Sequence, residues 1–156
     1  MEEKNTEVNA QPIHFLPYGV QLQNISAIEI SAKKFRADVA KSQNAQLSID
    51  LEEVEIDEES LQAQVVLHLQ IDFTEEPRPY EISFKLLGHF TYIREYSVEI
   101  IQAFLQQGSL SVMLPFAREL LLSLCTRLQV PALLLPMVQT APPAFTVPDT
   151  EKASHE

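Results

Sequence analysis

The stretch LQAQVVLHLQIDF, residues 61–73, decides the fold of this chain. Every second residue in it is apolar and mostly polar residues fill the gaps, which predicts a β-strand with one dry and one wetter face. The stretch YEISFKLLGHFTY, residues 80–92, repeats this pattern. Only a short polar link joins the two stretches, so we expect them to be antiparallel neighbours.

Two further strands precede this pair. The first is predicted from Tyr18 to about Ala32, with a bulge beyond Asn24 because the apolar phase shifts there. The second is predicted from about Ala45 to Ile56, and its phase changes after residues 52–53. Four strands of this length predict a sheet that is strongly curved or twisted.

Beyond residue 92 the apolar period becomes helical. A short helix is expected to stop at Gly108, which would serve as its C′ residue. A second helix, from about Leu110 to Leu128, is apolar on nearly all sides and carries Pro115 near its first turn. The sequence therefore predicts an α+β fold: a four-stranded antiparallel curved sheet followed by two helices packed on one face.

Length and composition indicate one domain. Of the 156 residues, we expect 12–138 to form it, with residues 1–11 and 139–156 as disordered tails. A net charge of −11 disfavours nucleic acid as a partner. The N-terminus has no apolar signal segment and the apolar runs are short, so we expect a cytoplasmic chain with no direct membrane insertion.

Residue patterns for bond chemistry are absent from the sequence. It has no GxGxxG, P-loop, CxxC or HExxH motif, and its four histidines are scattered. Its only cysteine, Cys125, has no basic residue or histidine directly beside it in sequence that would activate it. We therefore expect no cofactor, no metal site and no enzymatic activity, and we seek the function in binding.

The run DLEEVEIDEE, residues 50–59, holds seven acids and no base. One interpretation is a solvated hairpin tip that also blunts pairing at a sheet edge. The other is an acidic docking surface for a basic partner, formed by Asp50, Glu52, Glu53, Glu55, Asp57, Glu58 and Glu59.

The C-terminal part of the chain resembles a known family. LPFARE at residues 114–119, then Arg127, then PALLLPMV at residues 131–138, resemble the end of the SecB-type protein-export chaperones. The resemblance covers roughly residues 12–138. It implies a homotetramer built as a dimer of dimers, with helices at the subunit contacts and sheets outside. It also implies a long apolar groove that holds unfolded or precursor polypeptides without ATP.

The resemblance assigns two sets of residues. The expected oligomer interface comprises Phe116, Arg118, Glu119, Leu121 and Cys125. Arg118 and Glu119 either orient the helix or cross a subunit boundary. The expected client-peptide groove comprises Phe73, Phe84, Phe90, Tyr92, Leu133, Leu135 and Met137. Plain core packing is the alternative for each of the aromatics.

Several functions stay open at this level. SecB-type chaperones hand clients to the SecA motor, but residues 23–26 of the first strand, QNIS, lack the carboxylates expected for SecA docking. Some SecB-like chains are dedicated chaperones of an antitoxin in a toxin–antitoxin system. A hotdog-type thioesterase also packs a sheet on a helix, although that fold places its helix between strands. A structural oligomer without any client is the remaining alternative.

Overall fold

A computed structural model describes residues 19–36, 45–74, 76–133 and 135. The two expected tails and Met137 lie outside these residues. The chain order is β1 (Val20–Lys34), β2 (Ala45–Asp57), β3 (Gln62–Phe73), β4 (Tyr80–Tyr92), α1 (Val98–Ala103), a π-helical segment (Phe104–Gly108) and α2 (Ser109–Leu128). The four strands form one antiparallel sheet in the spatial order β1-β4-β3-β2. The predicted α+β architecture of a four-stranded antiparallel sheet followed by helix is confirmed.

The strand irregularities fall close to the places where the apolar phase shifts. In β2 the register shifts between Glu52 and Val54, and Glu53 takes a φ of 42°. In β1 it shifts between Leu22 and Asn24 and again between Ala27 and Glu29. In β2 the bulge keeps Val54 and Ile56 on the inner face, opposite the buried Val65 and Ala63, which is why the sequence pattern changes phase there.

The core lies between one face of the sheet and the helical run. Apart from Phe73 at the end of β3, the alternate residues of β3 and β4 that the pattern marks as apolar are buried, and Leu67, Leu69 and Phe84 have no exposed surface. On the helical side, α2 buries Met113 and Ala117 against them. The strict alternation of residues 61–92 thus reflects one buried and one open face of the sheet.

The expected break between two helices at Gly108 is wrong. Gly108 has a helical φ of −72°, and a π-helical turn carries the chain without interruption from α1 into α2. Glycine is needed there for space, because a Cβ atom at residue 108 would lie 2.7 Å from Cδ2 of the buried Phe104. The helical run ends instead at Gln129, whose φ of 54° is the left-handed conformation of a C-cap.

By length and hydropathy alone, the helical run Val98–Leu128 passes a test for a membrane-spanning helix, with a mean hydropathy of 1.3. Core helices of water-soluble proteins pass the same test. Here 33% of the apolar window is buried, and the buried residues of α2 pack in the core against the sheet, so packing accounts for one face of the helix.

Candidate functional site

Apolar side chains reach the surface where β4 begins, at a corner that we call the Tyr80 end (Phe35, Phe73, Tyr80 and Leu133). The Phe73 ring meets the Tyr80 ring edge-on, with the ring centroids 4.8 Å apart. Phe73 and Leu133 are partly buried and pack against the core cluster that contains Tyr80. The backbone N–H of Phe35 donates to the Pro79 carbonyl at 2.9 Å, which brings Phe35 to the same corner. The side chain of Phe35 is 53% exposed.

Sequence reasoning missed Phe35. The bases Lys33, Lys34 and Arg36 around it are typical of a polar link after the strand predicted to end near Ala32, whereas β1 continues to Lys34. One large apolar residue among three bases, directly before the link between two strands, was the available signal. An aromatic residue that is half exposed marks a contact surface when other apolar groups lie beside it.

The residues predicted for the groove do not all come together. Phe84 and Phe90 are 0% and 1% exposed, and Phe90 packs edge-on against Phe104. Their prediction as groove wall is not supported, because residues on the inner face of the central strand β4 are covered by the helical run. Tyr92 is also buried and lies at the opposite end of β4, where its hydroxyl donates to the Asp57 carbonyl at 3.4 Å.

Two predicted groove residues follow α2. Leu133 is partly exposed and belongs to the Tyr80 end, whereas Leu135 is 6% exposed and joins the core. Together with Phe73, Leu133 is the member of the predicted groove that keeps an accessible apolar surface at this corner.

A second apolar surface lies on β1, one of the two edge strands of the sheet. Ile28 and Ile30 are 53% and 50% exposed, and we call this pair the β1 strip. Ile28 sits in the second bulge, between Ala27 and Glu29, and Ile30 lies opposite Phe84. An edge strand with exposed branched apolar residues is a surface to which another strand can pair.

The residues predicted for an oligomer interface divide into two groups. Phe116 is 42% exposed, Glu119 is exposed and Arg118 is partly exposed on α2. No ion pair involves Arg118 or Glu119 within the described parts of the chain. Leu121 and Cys125 are at most 1% exposed in the single chain, because they lie on the helix face that covers the sheet. Burial between subunits is therefore not supported for Leu121 and Cys125.

The acidic run is mostly strand rather than hairpin tip. Asp50, Glu53, Glu55, Glu58 and Glu59 are exposed, and β2, which carries the first part of the run, is the other edge strand. Asp57 closes the turn into β3, since its carboxylate accepts hydrogen bonds from the backbone N–H of Glu59 and the hydroxyl of Ser60. Those hydrogen bonds hold the pKa of Asp57 below its ordinary value.

Glu52 is the member of the run with partners on the open sheet face. Its carboxylate lies 3.0 Å from Lys85 Nζ and 3.0 Å from His68 Nδ1, and His68 Nε2 lies 3.1 Å from the Ser83 hydroxyl. The Lys85 ammonium lowers the pKa of Glu52, with His68 adding to the effect, and Glu52 in turn raises the pKa of Lys85. We call these four residues the cross-strand network, since it ties β2, β3 and β4 together.

The order serine, histidine, carboxylate in this network is also that of a hydrolase triad. Such a triad requires backbone or side-chain donors for the oxyanion beside the serine. Ser83 lies in β4, which is hydrogen-bonded to β1 on one side and to β3 on the other. The adjacent strands occupy the backbone donors there, so the network is better suited to positioning β2 than to acyl transfer.

The two strand histidines do not face each other. His68 lies opposite Lys85 and Asp50, whereas His89 lies opposite Gln64 and Asn24. Within the described residues, no group of three histidine, cysteine or acidic side chains has the geometry of a metal site.

Replacing Glu52 by glutamine tests the cross-strand network through its pH dependence. A lowered pKa of Glu52 means that its stabilising contribution is full above the ordinary pKa of 4.5 and is lost as the pH falls through the folded value. Because the pKa of Lys85 is raised, its stabilising contribution is full below the ordinary pKa of 10.5 and is lost as the pH rises through the folded value. We expect wild type and Glu52→Gln to differ in urea midpoint at pH 7, and we expect this difference to shrink as the pH is lowered below 4.5. A difference that does not shrink as Glu52 is protonated would contradict the network.

Comparison with known proteins identifies the fold. No protein-family model and no curated protein matches the sequence. The solved structure of the Mycobacterium tuberculosis SecB-like chaperone Rv1957, in complex with a ChAD peptide from the Rv1956 HigA1 antitoxin, superposes with a TM-score of 0.63. The match has 20% sequence identity and covers 77% of this chain and 91% of that one. A protein of unknown function from Streptococcus agalactiae superposes with a TM-score of 0.42 at 12% identity, covering 75% of this chain and 96% of that one. The match to the Mycobacterium tuberculosis structure shows that the chain has a SecB-like fold.

Proposed function

We propose that this protein is a SecB-like, ATP-independent chaperone that holds unfolded or precursor polypeptide segments at the Tyr80 end. One observation carries the proposal: on a SecB-like fold, Phe35 exposes half of its side chain beside the partly buried Phe73 and Leu133. Aromatic and aliphatic groups at one accessible corner offer an apolar segment contact area without prescribing its sequence.

A holding function needs no chemistry beyond such contacts. Each apolar contact is weak, so a useful affinity arises when several copies of the same corner bind one long client. Binding to the unfolded chain then competes with its folding and aggregation by mass action. The wild-type sequence supplies no nucleotide-binding motif that would couple these steps to ATP.

Assembly into a homotetramer, as a dimer of dimers, is part of the proposal. The β1 strip lies on a sheet edge to which no other described strand pairs, and Phe116 is exposed on α2. These two surfaces are separate, so one supports pairing within a dimer and the other supports pairing between dimers. A cytoplasmic location would place such an assembly where precursor and antitoxin chains are made.

The client is either a broad set of precursors or one antitoxin. The similar Mycobacterium tuberculosis chaperone was solved with a peptide from an antitoxin, which supports a polypeptide segment as the partner. The exposed acids Asp50, Glu55 and Glu58 are the surface we propose for a basic partner, with SecA as the export-pathway candidate. Capture from a complete precursor pool separates the alternatives: many clients support a general holdase, and a single captured antitoxin supports the dedicated one.

The thioesterase alternative is disfavoured by topology. A hotdog fold has its long helix between strands, whereas here the whole helical run, Val98–Leu128, follows the fourth strand. Turnover of acyl-CoA by the purified protein would overturn the chaperone proposal.

Aggregation of a heat-labile protein, followed by light scattering without nucleotide, tests the function. Wild type at a stoichiometric amount is expected to suppress the scattering. Phe35→Ser removes most of an accessible aromatic surface. The lost contact is worth roughly 1–2 kcal/mol per site, so we expect the affinity for the unfolded client to fall about tenfold and the suppression of scattering to weaken.

The matched control is Ile93→Ser, because Ile93 is an exposed apolar residue directly after the opposite end of β4 (43% exposed). It should suppress aggregation like wild type. No suppression by wild type would refute the holdase proposal, and equal losses in both variants would refute the assignment of the Tyr80 end.

A further inference from the structure

Basic side chains surround the Tyr80 end. The chain has a net charge of −11, yet five of its 11 lysines and arginines lie at this one corner. Three of them stand on either side of Phe35 where β1 ends, one lies in the turn before β4, and one lies in the last turn of α2. We call these residues the basic rim: Lys33, Lys34, Arg36, Arg78 and Arg127.

Two hydrogen bonds bring the three parts of the basic rim to the same corner. The backbone N–H of Phe35 donates to the Pro79 carbonyl at 2.9 Å, which joins the end of β1 to the turn before β4. Lys34 Nζ donates to the Gln129 carbonyl at 3.3 Å, which joins the end of β1 to the end of α2. The positive charges are therefore gathered by the fold around the exposed Phe35 ring.

The described carboxylates near the corner leave much of this charge without an ionic partner. Asp72 and Glu81 accept hydrogen bonds from neutral side chains, at 2.8 and 3.2 Å. Glu76 lies 4.0 Å from Arg78 Nε and its side chain is 77% exposed, so this ion pair contributes little. Three members of the basic rim are exposed and form no salt bridge within the described residues: Lys33, Arg36 and Arg127.

The opposite end of the sheet carries the opposite charge. Asp57, Glu58 and Glu59 lie where β2 turns into β3, and the Asp57 carbonyl accepts the hydroxyl of Tyr92, the last residue of β4. A strand of 13 residues separates the two ends by roughly 40 Å. Because the Debye length is about 10 Å at 0.1 M salt, these acids do not cancel the field of the basic rim.

We propose that the Tyr80 end selects polypeptide segments in which carboxylates flank apolar residues. The inference rests on the proposed holdase function and names the client class of the same site. When an apolar residue of an extended segment contacts Phe35, the residues two to four positions away lie about 7–13 Å from it, within reach of the long side chains of the basic rim. Acidic residues at those positions are attracted and basic ones are repelled.

Three labelled peptides test this preference. They share one apolar core, flanked on both sides by glutamates, by glutamines or by lysines, and their affinities for the whole chain are measured by fluorescence anisotropy. Since each exposed ion pair adds only a small share, we expect the glutamate peptide to bind about fivefold more tightly than the glutamine peptide. The lysine peptide should bind most weakly. In 1 M salt, where the Debye length is about 3 Å, the three affinities should converge.

Arg36→Glu and Arg94→Glu distinguish the basic rim from the net charge of the chain. Both variants reverse one exposed arginine, but Arg94 follows the opposite end of β4. Arg36→Glu should weaken binding of the glutamate peptide about threefold, whereas Arg94→Glu should bind it like wild type. Both variants should bind the glutamine peptide like wild type, which checks that the fold and the apolar contact are intact.

Equal affinities for the three peptides, or tightest binding of the lysine peptide, would overturn the inference and leave the holdase proposal intact. Equal effects of the two variants on the glutamate peptide would do the same. Displacement of that peptide by a single-stranded oligonucleotide at physiological salt would assign the basic rim to nucleic acid and also overturn the inference. If none of the three peptides binds, the holdase proposal falls, and the inference with it.

Discussion

Replacing Phe84 by alanine is expected to lower the free energy of unfolding by about 3–5 kcal/mol, the usual cost of deleting a fully buried aromatic side chain. Phe84 is 0% exposed on the inner face of β4, opposite Leu69 of β3 and Ile30 of β1. The central position of β4 prevents its neighbours from closing the cavity. Urea unfolding followed by circular dichroism, at one fixed protein concentration, measures the change.

Phe35→Ala is the control for this loss of stability. The Phe35 ring is 53% exposed, so the same chemical change should alter the free energy of unfolding by less than about 1 kcal/mol. Comparison of the two alanine variants also distinguishes an aromatic residue of the core from one of the contact surface. A Phe84→Ala variant that unfolds with the wild-type midpoint but fails to bind clients would restore Phe84 to the groove and contradict the structural assignment.

Ile30→Lys is expected to dissociate the assembly. A lysine on an edge strand disfavours pairing with another strand, and a charge buried at a subunit contact without a partner weakens association about 100-fold. Because Ile30 is half exposed in the single chain, the fold of each subunit should persist. Sedimentation should show wild type near four times the chain mass of 17.7 kDa and the variant at a smaller multiple.

Ile93→Lys provides the comparison, since it puts the same charge on another exposed apolar residue away from the β1 strip. It should sediment like wild type. If Ile93→Lys dissociates the assembly and Ile30→Lys does not, the subunit contact has been assigned to the wrong surface. A wild-type chain that sediments as a monomer at all concentrations would remove the tetramer proposal altogether.

The strands were predictable because one physical rule governs each of them. Alternation places residues 80–92 in a strand, and β4 runs over that same range, Tyr80–Tyr92. The phase change after Glu52 and Glu53 likewise located the irregularity in β2. Apolar and polar residues alternate in the sequence of a strand wherever the two faces of its sheet differ in polarity.

Other features depend on three-dimensional neighbours that the pattern does not encode. The pairing of β1 with β4 rather than β2 follows from long-range packing. Gly108 was expected to end a helix, but it serves to make room for Phe104 within a continuous helical run. Among the candidate site residues, the alternation placed Phe73, Phe84 and Phe90 on the same face of the sheet and did not distinguish them. Of these three, only Phe73 lies where the helical run leaves the sheet uncovered.

The central claim is that unfolded polypeptides contact the Tyr80 end, and site-specific photocrosslinking tests it most directly. A photoreactive phenylalanine analogue would replace Phe35, and in separate proteins Ile93 and Glu58, each mixed with a carboxymethylated unfolded protein and irradiated. We expect abundant adducts from position 35 and few from positions 93 and 58. Equal yields at all three positions, or adducts confined to position 58 in the acidic run, would contradict the claim.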